Sequence, residues 1–303
     1  MSTSPSNQET TYVEVDVSAW LPAGSESVGT KPKRWLRDPE SETRWLMKDA
    51  THNRRTDGTS YRKGDDWAER IATGVADRLG LPAARTELAI QHGRGETRLG
   101  VISKSVVAAG EELILGNELL AQPAFRHDRA GYTISAVREA LEDVEAPTSV
   151  DCELAAWDVF AGYLILDALI GNTDRHEENW AIIDNGTSRR LAPTFDHASS
   201  LGFQLDDAAK ERRLRTNDLG YTPEAWADRA RTEFAGKPHL SEVALEARRM
   251  QGSEKRDHWL SRCEDVERLI EPIQLVPQHR MSMSAREFAE RVLRRNRERL
   301  LAV

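Results

Sequence analysis

Two cysteines, Cys152 and Cys263, are the only ones in the 303-residue chain, which excludes a disulfide framework and a four-cysteine zinc site. Long apolar runs are also absent, since the longest, residues 159–166, lies between two aspartates. It is far shorter than the about 20 residues that a membrane-spanning helix needs. Residues 1–10 contain no apolar core, so a signal peptide is not expected. These absences predict a protein of the reducing cytoplasm.

The chain also lacks a net positive charge. Its 42 basic and 50 acidic residues give a formal net charge of −8, which does not favour general binding to nucleic acids or anionic membranes. Hydrophobic residues make up 39% and charged residues 30%, a composition typical of a globular protein. A chain of this length can bury roughly three quarters of its unfolded surface, enough for one large domain or two lobes.

What the sequence does contain is a set of polar residues suited to phosphoryl transfer. Residues 171–179 read Gly-Asn-Thr-Asp-Arg-His-Glu-Glu-Asn, which places Asn179 five positions after Asp174. A second aspartate, Asp196, follows a short apolar interval. Phosphoryl transfer needs one carboxylate to orient the attacking hydroxyl, and amide and carboxylate oxygens to hold magnesium. We therefore interpret Asp174 as the base or positioning group, and Asn179 and Asp196 as metal ligands.

Local patterns predict how these residues are held. Residues 150–170 are rich in helix formers, and Gly171 ends the pattern in the way that a C-terminal glycine does. The Asn-Gly pair at 185–186 lies between two strand-like runs and is a strong hairpin signal. Such a hairpin would bring Asp196 close to Asn179.

On these residues the chain resembles the HipA-type bacterial kinases and, more distantly, the phosphoinositide-kinase and protein-kinase superfamily. The spacing from Asp174 to Asn179 equals that of the protein-kinase catalytic loop, and Asp196 takes the position of the metal-binding Asp of Asp-Phe-Gly. Here His197 replaces the phenylalanine, so the switch based on that residue does not carry over. The resemblance implies a two-lobed, protein-kinase-like α+β fold, with ATP and Mg²⁺ as cofactors.

A second resemblance lies upstream. The strand-like residues 44–47 end at Lys48, and Glu69 lies in a helical pattern that runs to about Leu79. Kinases place a strand lysine against the α- and β-phosphates and hold it with a glutamate from the next helix. Lys48 and Glu69 match those roles in order and separation. Taken alone, Lys48 would be a solvated lysine, and Glu69 one of several acids that favour the positive end of a helix.

Two further segments are candidates for nucleotide contacts. Residues 23–33 are mostly small and include lysines, which predicts a turn that covers the phosphates, although such residues are also ordinary in a flexible turn. Residues 99–107 are β-rich and predict the last strand of the small lobe, after which related kinases place the adenine-binding hinge. The candidate contacts are Gly29, Thr30 and Lys31 in the turn, and Ser105 and Val106 in the hinge.

His176 is grouped with Asp174 and Asn179 as a catalytic residue, since the resemblance implies that it braces the loop. Two interpretations from other classes stay open. The first is a mixed Asp/His metal site for phosphoester hydrolysis, formed by Asp174, His176, Asp196 and His197. The second is a nucleotide-binding module without catalysis, against which the intact metal-binding residues argue.

The predicted organisation is a disordered tail at 1–10, a β-rich nucleotide-binding N-lobe at 11–107, and a mostly helical C-lobe at 108–303. The C-lobe would carry the catalytic loop, the metal site and the acceptor site. Predicted helices of the C-lobe include residues 113–120, residues 134–141, and a C-terminal helix with a capping box at Ser284.

The resemblance implies that the phosphoryl acceptor is a Ser or Thr hydroxyl of a protein or peptide. A small-molecule or lipid hydroxyl is the alternative, and the acidic balance disfavours a membrane lipid. The chain is shorter than typical HipA toxins, and no antitoxin-like segment is recognisable in it. A toxin role is therefore not inferred.

Overall fold

The computed structural model describes residues 11–26, 33–93, 95–121, 129–151 and 153–302. The expected tail at 1–10 lies outside the described residues, and so do the predicted phosphate-turn residues Gly29, Thr30 and Lys31.

The N-terminal part of the chain forms a six-stranded sheet and a small hairpin. The strands are β1 (Glu14–Asp16), β2 (Leu21–Glu26), β3 (Lys33–Arg37), β4 (Arg44–Asp49), the hairpin strands β5 (His52–Arg54) and β6 (Ser60–Arg62), β7 (Thr86–His92) and β8 (Thr97–Lys104). The order in the sheet is β1-β7-β8-β4-β3-β2, and β1 pairs with β7 in parallel while the other pairs are antiparallel.

Alternation along β4 explains how this sheet presents two different faces. Trp45 and Met47 are buried and pack in an apolar cluster with residues of neighbouring strands. Because successive side chains of a strand point to opposite faces, Lys48 faces away from this cluster. The sheet thus turns one face to its own apolar core and directs Lys48 to the other side.

Helix α1 (Asp65–Leu79) packs against β7 and β8 and also contacts the helical part of the chain. Its C-terminal cap is Gly80, whose φ of 70° is the left-handed conformation that glycine adopts without strain. The apolar residues of α1 belong to the main hydrophobic core together with those of the later helices. As a result Glu69, on this helix, is 1% exposed.

The remaining chain is mostly helical and contains a three-stranded sheet. The helices are α2 (Gly116–Leu119), α3 (Ile134–Ala140), α4 (Ala156–Ile170), α5 (Asp207–Arg215), α6 (Pro223–Asp228), α7 (Leu240–Arg249), α8 (Val266–Gln274) and α9 (Met283–Leu301). The sheet has the order β11-β10-β9, from β9 (Glu112–Leu115), β10 (Ala181–Asp184) and β11 (Arg189–Leu191). Every residue of α4 is buried, and the helix packs against α7 and α9.

The elements around the site were largely predicted correctly. The predicted helix in residues 150–170 is confirmed over 156–170, and its end at Gly171 and the hairpin of β10 and β11 are confirmed as well. Two local predictions are wrong. Residues 113–115 form a strand instead of a helix, because this segment pairs with β10. The C-terminal helix is capped by Ser282, whose Oγ accepts a hydrogen bond from Ala285 N (3.1 Å), two residues before the predicted cap.

A buried ion cluster ties the segment before α9 to the N-terminal sheet. Arg280 Nη1 lies 2.9 Å from Asp66 Oδ2, and both side chains are fully buried. Arg280 also donates to Ala89 O (2.7 Å), and Arg62 Nη1 contacts the same Asp66 oxygen at 2.6 Å. Burial raises the pKa of Asp66, and the two arginines oppose that rise. The two parts of the molecule are therefore joined by charge as well as by the shared core.

Within the part of the chain that the structure describes, the helices are all too short or too polar to cross a bilayer.

Candidate active site

The predicted catalytic loop, residues 172–179, begins where Gly171 ends α4 in the left-handed conformation (φ 67°). Asn172 fixes the first turn of this loop with both ends of its side chain. Its Nδ2 donates to Asp167 Oδ1 on α4 (2.7 Å), and its Oδ1 accepts from the backbone N–H of Asp174 (3.2 Å). The orientation of Asp174 is thereby set by a helix that is buried along its whole length.

Arg175 is the centre of the site's polar framework and is 1% exposed. Its Nε and Nη2 bind the two carboxylate oxygens of Asp167 at 2.7 and 2.9 Å. The same guanidinium donates to Thr194 Oγ1 (2.8 Å), to Phe195 O (3.3 Å) and to Asn179 O. Burial opposes the charge of Arg175, but Asp167 outweighs it, so the pKa of Arg175 is raised. This residue joins α4, the loop and the segment that leads to Asp196.

Arg175 and its partner Asp167 were not among the site residues predicted from the sequence. A signal was available, because Asp167 interrupts the apolar run Leu-Ile-Leu-Asp-Ala-Leu-Ile at the end of α4, and a buried carboxylate requires a cationic or hydrogen-bonding partner. The identity of that partner depends on the tertiary fold.

Asn179 lies at the end of the loop and is 6% exposed. Its Nδ2 donates to the backbone carbonyl of Asp174 at 2.6 Å. The donor end of the amide is therefore engaged within the loop, and the opposite end of the same group is the oxygen that would bind a cation.

Asp196 lies between two lysines. Lys48 Nζ is 2.9 Å from Asp196 Oδ1, and Lys33 Nζ is 3.3 Å from Asp196 Oδ2. The lysines are directly paired residues of β3 and β4, so their side chains share one face of the sheet. Like charges in such a pair repel, and the shared carboxylate offsets that repulsion. Burial alone would raise the pKa of Asp196, but the two ammonium groups more than offset it and hold that pKa well below its usual range.

Asp196 also has an unusual backbone conformation, with φ at 59°. A left-handed conformation at a residue other than glycine costs free energy and is most often tolerated at functional positions. In this chain it turns the carboxylate towards the lysines at the end of the hairpin.

Asp174 lies in different surroundings. Its side chain is 50% exposed, it accepts a hydrogen bond from Ser199 Oγ (3.3 Å), and His176 Nε2 lies 3.9 Å away. Burial of the remaining part raises the pKa of Asp174; His176 lowers it, and the negative charge of Asp196 adds to the rise. The predicted catalytic residues thus lie close together, and the charge of Asp196 affects the pKa of Asp174.

Glu69 lies near Lys48, but its carboxylate contacts His197. Glu69 Oε1 is 3.4 Å from His197 Nδ1, and Oε2 has no hydrogen-bond partner among the described residues. Burial opposes the charge of Lys48, and Asp196 followed by Glu69 outweighs it, so the pKa of Lys48 is raised. Glu69 therefore acts on Lys48 through space, while the direct contact of the lysine is with Asp196.

The predicted hinge residues follow β8. Ser105 N donates to Arg44 O (2.9 Å), and Ser105 Oγ donates to Val107 O (3.1 Å). Val106 packs against an apolar cluster of β10 that also includes Phe195, the neighbour of Asp196. An apolar surface thus lies beside the charged part of the site.

The mixed Asp/His metal site is not formed. Over the described ranges, no three His, Cys, Asp or Glu side chains are grouped in a way that would hold a metal ion. His197 is instead engaged by Thr194 Oγ1 at 2.8 Å and by Glu69. The hydrolase interpretation loses its ligand set.

Comparisons with known proteins show what the chain and its fold are similar to. No protein-family model matches the chain. The serine/threonine-protein kinase CtkA of Helicobacter pylori is 28% identical over 167 residues, which cover 52% of this chain and 47% of CtkA. The matched stretch thus spans about half the length of that relative.

Solved structures extend the similarity. The crystal structure of an H. pylori proinflammatory kinase CtkA has a TM-score of 0.72 at 19% identity and covers 95% of this chain and 94% of its own. HipA of Shewanella oneidensis MR-1, solved with HipB and operator DNA, has a TM-score of 0.50 at 12% identity, covering 93% and 66%. The resemblance to HipA-like kinases and the predicted two-lobed α+β fold are confirmed.

The opposite pKa shifts of the two aspartates predict opposite effects of the same substitution. The raised pKa of Asp174 means that its charge costs stability at neutral pH, so Asp174→Asn should raise the free energy of unfolding. The lowered pKa of Asp196 means that its charge contributes stability above the unfolded pKa, which is lost as the pH falls. Asp196→Asn should therefore lower the free energy of unfolding at pH 7, by roughly 1.5–3 kcal/mol.

Urea unfolding of the nucleotide-free protein at pH 7 measures both effects. Asp257→Asn, at a side chain that is 69% exposed, is the matched control and should change little. A similar loss of stability in the two site variants would contradict the assigned environments.

Proposed function

We propose that this chain is a kinase that transfers the γ-phosphoryl group of ATP to a hydroxyl group, in a protein or peptide that offers serine or threonine. The observation that carries the proposal is the convergence of Lys48 and Lys33 on Asp196, beside a loop that presents Asp174 and Asn179. A structural ion pair would need one lysine. Two lysines on one carboxylate supply cations where a triphosphate would require them.

The donor set of the site fits ATP with Mg²⁺. Mg²⁺ favours carboxylate and amide oxygens, and usually binds through one or two protein ligands together with phosphates and waters. Asp196 and Asn179 would be those ligands, and the ion would neutralise the charge of the phosphates. Lys48 and Lys33 would orient the phosphates, and Glu69 would keep Lys48 from turning away.

Asp174 would position and deprotonate the acceptor. In the transfer, the hydroxyl oxygen forms a bond to the γ-phosphorus, the bond to the bridging oxygen breaks, and its electron pair leaves with ADP. The proton of the hydroxyl passes to Asp174. A half-exposed carboxylate with a raised pKa suits this role, because it can be reached by a large acceptor and is a stronger base than an ordinary aspartate. Ser199 and His176 would hold it in orientation.

Ser105 and Val106 would contact the adenine. The backbone of Ser105 is already tied to β4 through Arg44, so the hinge is held in place before a nucleotide arrives. Val106 and the cluster beside Phe195 offer the apolar surface that a purine base would stack on.

A protein acceptor is supported by CtkA, which is named a serine/threonine-protein kinase. A small-molecule hydroxyl is the second candidate for the acceptor. The cytoplasm is the proposed location, supported by the low cysteine content and by Cys263, which is a buried free thiol.

Incubation of the protein with labelled ATP, Mg²⁺ and host lysate tests the proposal. We expect Mg²⁺-dependent ATP consumption and a phosphorylated product, whose modified residue mass spectrometry would locate. Asp174→Ala and Asp196→Asn should each reduce turnover roughly a hundredfold or more, because positioning and charge stabilisation are the main contributions to this reaction. Asp257→Asn should retain the rate. Full turnover in either site variant would reject the assignment.

Lys33 provides an independent prediction, since the sequence analysis gave it no individual role. If it contacts the phosphates, Lys33→Met should raise the KM for ATP roughly tenfold or more, as expected for the loss of a charged hydrogen bond. Lys104→Met is the matched control, because Lys104 is exposed at the end of β8. An unchanged KM in Lys33→Met would show that Lys33 contributes only to the nucleotide-free state.

A further inference from the structure

A chain of buried polar side chains runs from the catalytic loop to α1. Arg175 Nη2 donates to Thr194 Oγ1 at 2.8 Å, and Thr194 Oγ1 lies 2.8 Å from His197 Nε2. On the other side of the ring, His197 Nδ1 lies 3.4 Å from Glu69 Oε1. These four side chains are at most 2% exposed, so water does not compete for the contacts.

The donor and acceptor roles of these four side chains are compatible with one another. A guanidinium only donates, so Thr194 Oγ1 is the acceptor in its contact with Arg175 and keeps its own hydrogen for His197 Nε2. When Thr194 donates that hydrogen, Nε2 of His197 is the acceptor, and its Nδ1 faces the Glu69 carboxylate. The Nδ1–Oε1 distance of 3.4 Å is long for a hydrogen bond, and Nδ1 has no hydrogen-bond partner among the described residues, so this link is a close polar contact.

This row of polar side chains ends at Glu69, the carboxylate that influences Lys48. With Oε1 of Glu69 on the histidine, Oε2 has no hydrogen-bond partner in the described residues, and Glu69 favours the charged form of Lys48. Leaving a buried carboxylate oxygen without a partner costs free energy. Lys48 is the nearby cation that could take it, whenever Asp196 is engaged elsewhere.

We propose that Thr194 and His197 are positioning residues. They hold Glu69, and through it Lys48, in a fixed position relative to the catalytic loop. The inference rests on the proposed kinase function and deepens it. Position 197 is where the protein kinases that this chain resembles have phenylalanine. Here a polar connection between the loop and α1 takes the place of an apolar contact, and Arg175 anchors it to Asp167.

Two substitutions at Thr194 separate this role from simple packing. Thr194→Val keeps the shape of the side chain and removes its hydroxyl, whereas Thr194→Ser keeps the hydroxyl and removes a methyl group. A polar role predicts that valine is harmful and serine is tolerated. A packing role predicts the reverse order, because valine fills the site and serine leaves a small cavity.

The measurement is the Kd for the β,γ-imido analogue of ATP with Mg²⁺, alongside the unfolding midpoint without nucleotide. We expect Thr194→Val to weaken binding roughly fivefold to tenfold, as for residues of one hydrogen-bond network, and Thr194→Ser to stay within about twofold. Thr194→Val should also unfold at lower urea than Thr194→Ser, because it leaves donors and acceptors of Arg175 and His197 without a partner.

A double-mutant cycle tests whether the effect passes through Glu69. In a Glu69→Gln background, Thr194→Val should cause little further loss of analogue binding. Two results would overturn this inference and leave the kinase assignment intact, provided that the wild type binds the analogue and consumes ATP. One is a fully additive loss of binding in the double mutant. The other is equal behaviour of the Thr194→Val and Thr194→Ser variants. A wild type that neither binds the analogue nor consumes ATP would overturn the proposed function and this inference with it.

Discussion

The guanidinium of Arg175 has five N–H groups and is almost fully shielded from water, so it must find its acceptors within the protein. It finds them on Asp167 of α4, on Thr194, and on the carbonyls of Asn179 and Phe195. A displacement of any of these segments would leave a buried charge incompletely paired, which is among the more costly defects in a folded protein. This constraint holds the catalytic loop and the approach to Asp196 at a fixed separation, and the geometry of the site follows from it.

Two aspartates of the same chemistry are given different properties by that geometry. Asp196 lies between two ammonium groups of adjacent strands and is held in its charged form. Asp174 lies at the open side, where burial and the charge of Asp196 raise its pKa. Pairs of carboxylates with diverging pKa values are typical of sites that separate charge stabilisation from proton transfer. The roles that we propose for them, metal ligand for Asp196 and base for Asp174, therefore have a physical basis in the surroundings of each residue.

Local signals in the sequence predicted much of this site. The glycine after α4 and the Asn185-Gly186 turn act over short distances, and both predicted the local structure correctly. The catalytic role inferred from the spacing of Asp174 and Asn179 stays a prediction. Contacts between residues far apart in the sequence were harder to predict. The strand at Leu113–Leu115 depends on pairing with β10, which overrides the helical propensity of the segment. Lys48 was predicted to pair with Glu69, but its direct contact is Asp196, and Lys33 and Arg175 obtained their partners only from the tertiary fold.

A crystal structure of the protein with Mg²⁺ and a non-hydrolysable ATP analogue would test the proposed site most directly. We expect a metal ion at about 2.1 Å from an oxygen of Asp196 and from Asn179 Oδ1, with Lys48 and Lys33 turned from Asp196 to the phosphates. A nucleotide bound elsewhere, with both lysines still on Asp196 and no metal at Asn179, would contradict the central claim that these residues form one phosphoryl-transfer site.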